Sequence, residues 1–133
     1  RHFFLPGAKE LLSALHGRYT LCLASNGTGW VQEGRLKSSG ILPLLDRVFI
    51  SEYLGANKPQ LGFFDACFAS LPGVKRSESL MLGDSLTSDM LGGKIAGMHT
   101  CWYNPNRLPL PTDGTVEYQI HRLPDLLPLL EKL

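Results

Sequence analysis

Long apolar runs are missing from this chain. No stretch approaches the roughly 20 residues that span a bilayer, and the N-terminus carries no signal-peptide pattern. A cytoplasmic protein with no membrane partner is therefore expected. Cysteine is scarce: Cys22, Cys67 and Cys101 are odd in number and far apart, which suits reduced thiols better than a disulfide framework. An excess of one charge is missing too. The 13 Lys+Arg residues stand against 12 Asp+Glu with no run of either sign, so no nucleic-acid partner is expected. Internal repeats and low-complexity segments are absent. A Gly-x-x-x-x-Gly-Lys-Ser/Thr loop is also absent, which excludes a P-loop nucleoside triphosphatase, and Gly27-Thr28-Gly29 is not continued into a dinucleotide fingerprint.

What is present is a core-forming chain. Of the 133 residues, 44% are hydrophobic, which rules out intrinsic disorder and allows one domain that buries roughly two-thirds of its unfolded surface. Apolar strand-like runs alternate with amphipathic segments. Pro6–Gly7 introduces a helix over 8–16, with Leu11, Leu12 and Leu15 at helical spacing and Gly17 as its stop. The run 19–25 predicts a buried strand ending at Asn26–Gly27, and Trp30 to Ser39 a helix stopped by Gly40. A second strand is expected over 47–51, a loop across Asn57–Lys58 because Pro59 bars a helix there, and a helix from Leu61 to Leu71. The third strand is expected over 79–83, a helix from Asp89 to Ala96, and the fourth strand over 99–103. A Pro-rich loop spans 104–114, and a short strand over 117–120 and a helix over 124–132 close the chain, although Pro128 sits awkwardly in that helix. Near-continuous apolar strands separated by helices indicate an α/β, Rossmann-like parallel sheet covered by helices on both faces. Ligands of such folds bind at the carboxyl ends of the strands.

Residues capable of chemistry do follow the strands. Ser25, Asn26 and Gly27 come after the first, where a hydroxyl and exposed backbone N–H groups ahead of a helix could cradle an anion. An ordinary strand-to-helix turn is the simpler alternative. Lys58, held by Pro59, follows the second strand; a loop cation there could neutralise a phosphoryl oxygen, or could simply be solvated. The third strand ends in Gly83-Asp84, with Asp89 five residues on. A carboxylate at that edge suits Mg²⁺, which takes one or two carboxylates and leaves its other positions to water and phosphate. Asp89 could support it from behind, or could cap a helix. Gly92–Gly93, costing up to about 1 kcal/mol each inside a helix, suggests close helix–sheet packing. The order hydroxyl, cation, acid, acid is more specific than any of its parts, and it is the reverse of the order in response-regulator receivers.

In this order the chain resembles the haloacid dehalogenase (HAD) superfamily of phosphohydrolases. Residues 22–27 (CLASNG) look like its second motif, Lys58-Pro59 like its third, and Gly83-Asp84 through Asp89 like its fourth. Residues 47–58 (RVFISEYLGANK) and 82–105 (LGDSLTSDMLGGKIAGMHTCWYNP) look especially like the pyrimidine 5′-nucleotidase branch; N-acylneuraminate-9-phosphatases are similar in the same motifs.

The resemblance implies a Mg²⁺-dependent phosphomonoester hydrolase acting through an aspartyl-phosphate, with a nucleotide or, alternatively, a sugar phosphate of the N-acylneuraminate 9-phosphate type as its small phosphate-bearing substrate. Ser25, Asn26 and Lys58 would hold phosphate, Asp84 would bind the metal, and Asp89 would act through water or by holding Lys58. One departure matters. The family's first motif, Asp-x-Asp on an N-terminal strand, is absent: Asp46, Asp65, Asp84, Asp89, Asp113 and Asp125 include no such pair, and the chain opens on Arg1. In the family that strand lies between those ending here at Ser25 and Asp84, and a substrate-selecting helical cap follows it. The expectation is a C-terminal portion of the core over residues 1–133, without cap or nucleophile, inactive alone and completed by an N-terminal segment or another chain. The rival expectation is a non-catalytic module that binds a phosphate-bearing ligand or a protein.

Overall fold

A computed structural model describes residues 7–133, with the side chains at 32, 33, 35 and 36 left aside. Arg1 and Pro6, noted above, lie outside the described residues. The chain forms two compact units, divided after Gly55.

In the first unit, helix α1 (Ala8–Leu15) buries Leu11 and Leu15, one turn apart on a single face, and ends as expected before Gly17, whose φ of 82° is open to glycine. Strand β1 (Cys22–Ser25) pairs in parallel with β2 (Arg47–Ile50), in the register Cys22↔Arg47 to Ser25↔Ile50. The first strand starts later than its apolar run suggested. Leu21 donates its N–H to the Asp46 carboxylate at 2.7 Å, so the ladder begins one residue beyond it. Helix α2 (Gly29–Ser39) joins the two strands and stops at Gly40, as expected. The second strand ends one residue early, because Ser51 opens a one-turn helix, α3 (Ser51–Leu54), that the sequence reading did not anticipate. Ile41, Phe49 and Ile50 are the other buried apolar side chains among the described residues of this unit.

In the second unit three parallel strands lie in the order β3 (Leu80–Gly83), β4 (His99–Tyr103), β5 (Tyr118–Ile120). Helix α4 (Leu61–Ala69) buries Phe63, Phe64 and Cys67, and Met81, Met90, Cys101, Trp102 and Ile120 are buried with them. Before α5 (Leu91–Ile95) the chain makes a π-helical turn over Leu86–Met90, so helical structure begins ahead of Asp89. The two glycines of α5 are there for closeness. A Cβ on Gly92 would stand 2.7 Å from the Phe64 ring, and one on Gly93 2.8 Å from the Thr100 methyl. The loop 104–114 is tied down by buried Asn104, which exchanges hydrogen bonds with the Leu108 backbone at 2.9 Å in both directions. Pro128 falls within the first turn of α6 (Leu126–Glu131), where its missing N–H would have had no helical partner.

Parallel strands joined through helices give the expected α/β class. Among the described residues β1 pairs only with β2, and β3 only with β4, so each keeps one edge without a ladder partner. No described helix is long and apolar enough to cross a membrane.

Candidate functional site

Ser25 and Asn26 belong to the first unit; Lys58, Asp84 and Asp89 belong to the second. Ser25 is the last residue of β1 and half-buried, and Asn26 follows it exposed. The exposed backbone donors expected beyond them are already engaged. Gly27 donates its N–H to Ser51 Oγ at 2.9 Å, and the same hydroxyl donates back to the Gly27 carbonyl at 3.3 Å. Gly29, at the start of α2, donates its N–H to Glu52 Oε1 at 3.0 Å. Of the anion cradle expected from Ser25-Asn26-Gly27, the Gly27 and Gly29 amides are thus occupied by protein. The reason is register: Ser25 pairs with Ile50, so the residues after both strands leave the sheet edge side by side. Sequence reasoning missed Ser51 and Glu52, taking Ser51 as the end of a strand. The rule that found Ser25 could have found them, since they too directly follow a strand.

In the second unit the acidic motif folds around a buried ion pair. Lys58 Nζ lies 2.6 Å from Asp89 Oδ1, with the two side chains only 8% and 9% exposed. The Lys58–Pro59 peptide is cis. Asp89 also accepts the Ser85 N–H through Oδ2 at 3.3 Å, and a Cβ on Gly83 would overlap its carboxylate. Glycine is therefore required just before Asp84. The helix-capping alternative for Asp89 is not what forms: Ser85 is the cap, its Oγ accepting the Ser88 N–H at 3.1 Å.

Asp84 stands exposed at the carboxyl end of β3. Its backbone carbonyl accepts the Trp102 indole N–H at 3.1 Å, and its carboxylate has no partner among the described residues. Lys58 offsets the charge of Asp89, so Asp84 carries the uncompensated negative charge of this edge. Among the described residues no three His, Cys, Asp or Glu side chains cluster around a common point. One free carboxylate, with the hydroxyls of Ser85 and Thr87 close by (3.4 Å apart), is an oxygen-only set. It fits Mg²⁺, which keeps several waters and needs few protein ligands, and does not fit a soft metal.

Residues 3–103 match the family model for haloacid dehalogenase-like hydrolases. The chain is 42% identical over 129 residues to the pyrimidine 5′-nucleotidase PynA of Streptococcus pneumoniae, covering 96% of this chain and 54% of that protein. It is 36% identical over 128 residues to the pyrimidine 5′-nucleotidase YjjG of Escherichia coli, covering 96% and 57%. Among solved structures, the HAD-hydrolase YfnB of Bacillus subtilis, determined bound to magnesium, superposes with a TM-score of 0.92 at 36% identity, covering 95% of this chain and 55% of that one. The chain spans about half the length of these relatives. With three-quarters of its length inside the family model, the chain belongs to the haloacid dehalogenase-like hydrolases.

Proposed function

We propose that this chain is the phosphate-handling C-terminal portion of a phosphomonoester hydrolase that removes the 5′-phosphate from nucleoside monophosphates. The observation that carries the reading is the buried Lys58–Asp89 pair next to the free Asp84 carboxylate. Burying a charge pair costs desolvation that only close geometry and further hydrogen bonds offset, and here the pair fixes a cation in the loop after α3.

In this reading an Asp from outside the 133 residues attacks phosphorus and the bond to the nucleoside oxygen breaks. Water then hydrolyses the aspartyl-phosphate and frees the carboxylate. Ser25 and Asn26 hold phosphoryl oxygens through hydroxyl and amide groups. Lys58, kept in place by Asp89, offsets the charge that gathers on those oxygens. Asp84 holds Mg²⁺, which when bound supplies further charge neutralisation. Among the described residues the edge of β1 and, in the other unit, the edge of β3 each have no ladder partner, and an edge of that kind suits an added strand; an N-terminal segment or a second chain that carries the nucleophile is the occupant this reading calls for. Alone, the 133 residues lack the covalent step and turn over nothing. Three free cysteines suit a reducing compartment, and cytoplasm is the location that goes with this reading.

The test is a substrate panel run on the protein expressed from its complete reading frame, with released phosphate as the readout. Pyrimidine nucleoside 5′-monophosphates should exceed N-acylneuraminate 9-phosphate in kcat/KM by about tenfold or more. The opposite ranking would replace a nucleotide with a sugar phosphate as substrate. No hydrolysis of either, with the protein folded, would leave the non-catalytic module standing.

A further inference from the structure

The described turn after β2 makes three separate contacts with the described turn after β1. Ser51 is 5% exposed, and its hydroxyl is spent on one residue, accepting from the Gly27 N–H at 2.9 Å and donating to the Gly27 carbonyl at 3.3 Å. Glu52 accepts the Gly29 N–H at 3.0 Å, taking one of the donors that a helix start leaves without an internal partner. The Tyr53 ring lies so close to Gly29 that a Cβ there would overlap it. Three consecutive residues thus grip the stretch 27–29, which begins two residues after Ser25. A turn needs no such grip to join a strand to a helix; the helix α2 already has its own first turn.

From this geometry we infer that Ser51 and Glu52 are positioning residues, holding the Asn26–Gly29 turn so that Ser25 and Asn26 meet the phosphoryl group in one fixed geometry. The inference rests on the reading of Ser25 and Asn26 as the phosphate-holding residues. It also sharpens it: the Gly27 and Gly29 amides are structural donors, not substrate donors. Small misplacement of a group that must meet a reacting atom can cost on the order of 100-fold in rate. The effect therefore belongs mainly in kcat.

The experiment uses the protein from its complete reading frame, with Ser51→Ala, Ser51→Thr, Glu52→Ala and Glu52→Gln. Two readouts are taken: steady-state kinetics with a pyrimidine nucleoside monophosphate, and amide hydrogen exchange of Gly27 and Gly29. Ser51→Ala and Glu52→Ala should lower kcat by about 10- to 100-fold while KM moves by less than about threefold. Ser51→Thr and Glu52→Gln keep an acceptor oxygen and should recover most of that loss. Exchange at Gly27 in Ser51→Ala, and at Gly29 in Glu52→Ala, should quicken by about tenfold or more, which corresponds to about 1.4 kcal/mol of lost local protection. Unchanged exchange at both glycines would overturn the inference. So would undiminished kcat with the amides freed, or a loss that the conservative variants fail to rescue. If the unaltered protein hydrolyses no nucleoside phosphate, the functional reading falls, and the exchange data still decide whether the grip exists.

Discussion

Lys58→Met removes the cation from a carboxylate that has little water to turn to. Asp89 is 9% exposed at its side chain. Among the described residues its other hydrogen bond is from the Ser85 N–H at 3.3 Å, long beside the roughly 2.8 Å of a strong charge-assisted bond. Breaking a buried pair by removing one partner costs about 3–5 kcal/mol, because the other charge stays buried and uncompensated. An exposed pair would cost less than about 1 kcal/mol. For a chain of this size the larger loss corresponds to a fall in Tm on the order of 10–20 °C. Trp102 reports it well: it is 2% exposed and lies in the same unit, whereas Trp30 is 83% exposed in the other. Thermal unfolding is therefore followed by Trp102 emission in a Trp30→Phe background. The double variant Lys58→Met/Asp89→Leu, which leaves no buried charge behind, should regain most of the loss. A cost below about 1 kcal/mol for Lys58→Met, or a double variant no more stable than the single one, would refute the reasoning.

Other outcomes follow from the same structure. His99 faces two acceptors, Glu117 Oε1 at 2.8 Å from Nδ1 and the Ser77 carbonyl at 2.9 Å from Nε2, so the imidazolium is the form that satisfies both. The hydrogen bond to Glu117 raises its pKa above the usual 6.5, so its stabilisation is complete below about 6.5 and fades as pH rises through the raised folded value. Tm should fall more between pH 6 and 8.5 for the unaltered chain than for His99→Gln, and equal slopes would contradict this. Among the cysteines, exposed Cys22 should be alkylated first, and buried Cys101, whose thiol is pushed up to about 11 by burial, last; peptide mapping after iodoacetamide treatment gives the order. Gly83→Ala must displace the Asp89 carboxylate and should cost about 1–3 kcal/mol in chemical denaturation, whereas an effect within about 0.5 kcal/mol would mean that Asp89 adjusts freely.

Much of this was legible in the sequence because strand and helix periods differ, and because glycines marked the helix ends. The stops at Gly17 and Gly40 and the parallel strands followed from those signals. That Asp89 could hold Lys58 was legible only through the family resemblance. Less legible was anything set by pairing across the sheet. That Ser51 leaves β2 to grip Gly27 depends on the register Ser25↔Ile50, which no local pattern encodes. The engagement of the Gly27 and Gly29 amides was invisible for the same reason. The start of helical structure at Leu86 was missed because Ser85, not Asp89, makes the cap. Both residue types cap helices well, and only the demand of buried Lys58 for a partner decides between them. Trp102 read as an ordinary buried strand residue; its hold on the Asp84 carbonyl needs the pairing of Gly83 with Trp102.

The most direct measurement is phosphate release from p-nitrophenyl phosphate, with and without Mg²⁺, by the purified 133-residue chain beside the product of its complete reading frame. The account predicts Mg²⁺-dependent turnover by the latter, lost on Lys58→Met, and none above buffer by the former. Mg²⁺-dependent release by the 133 residues alone would contradict it.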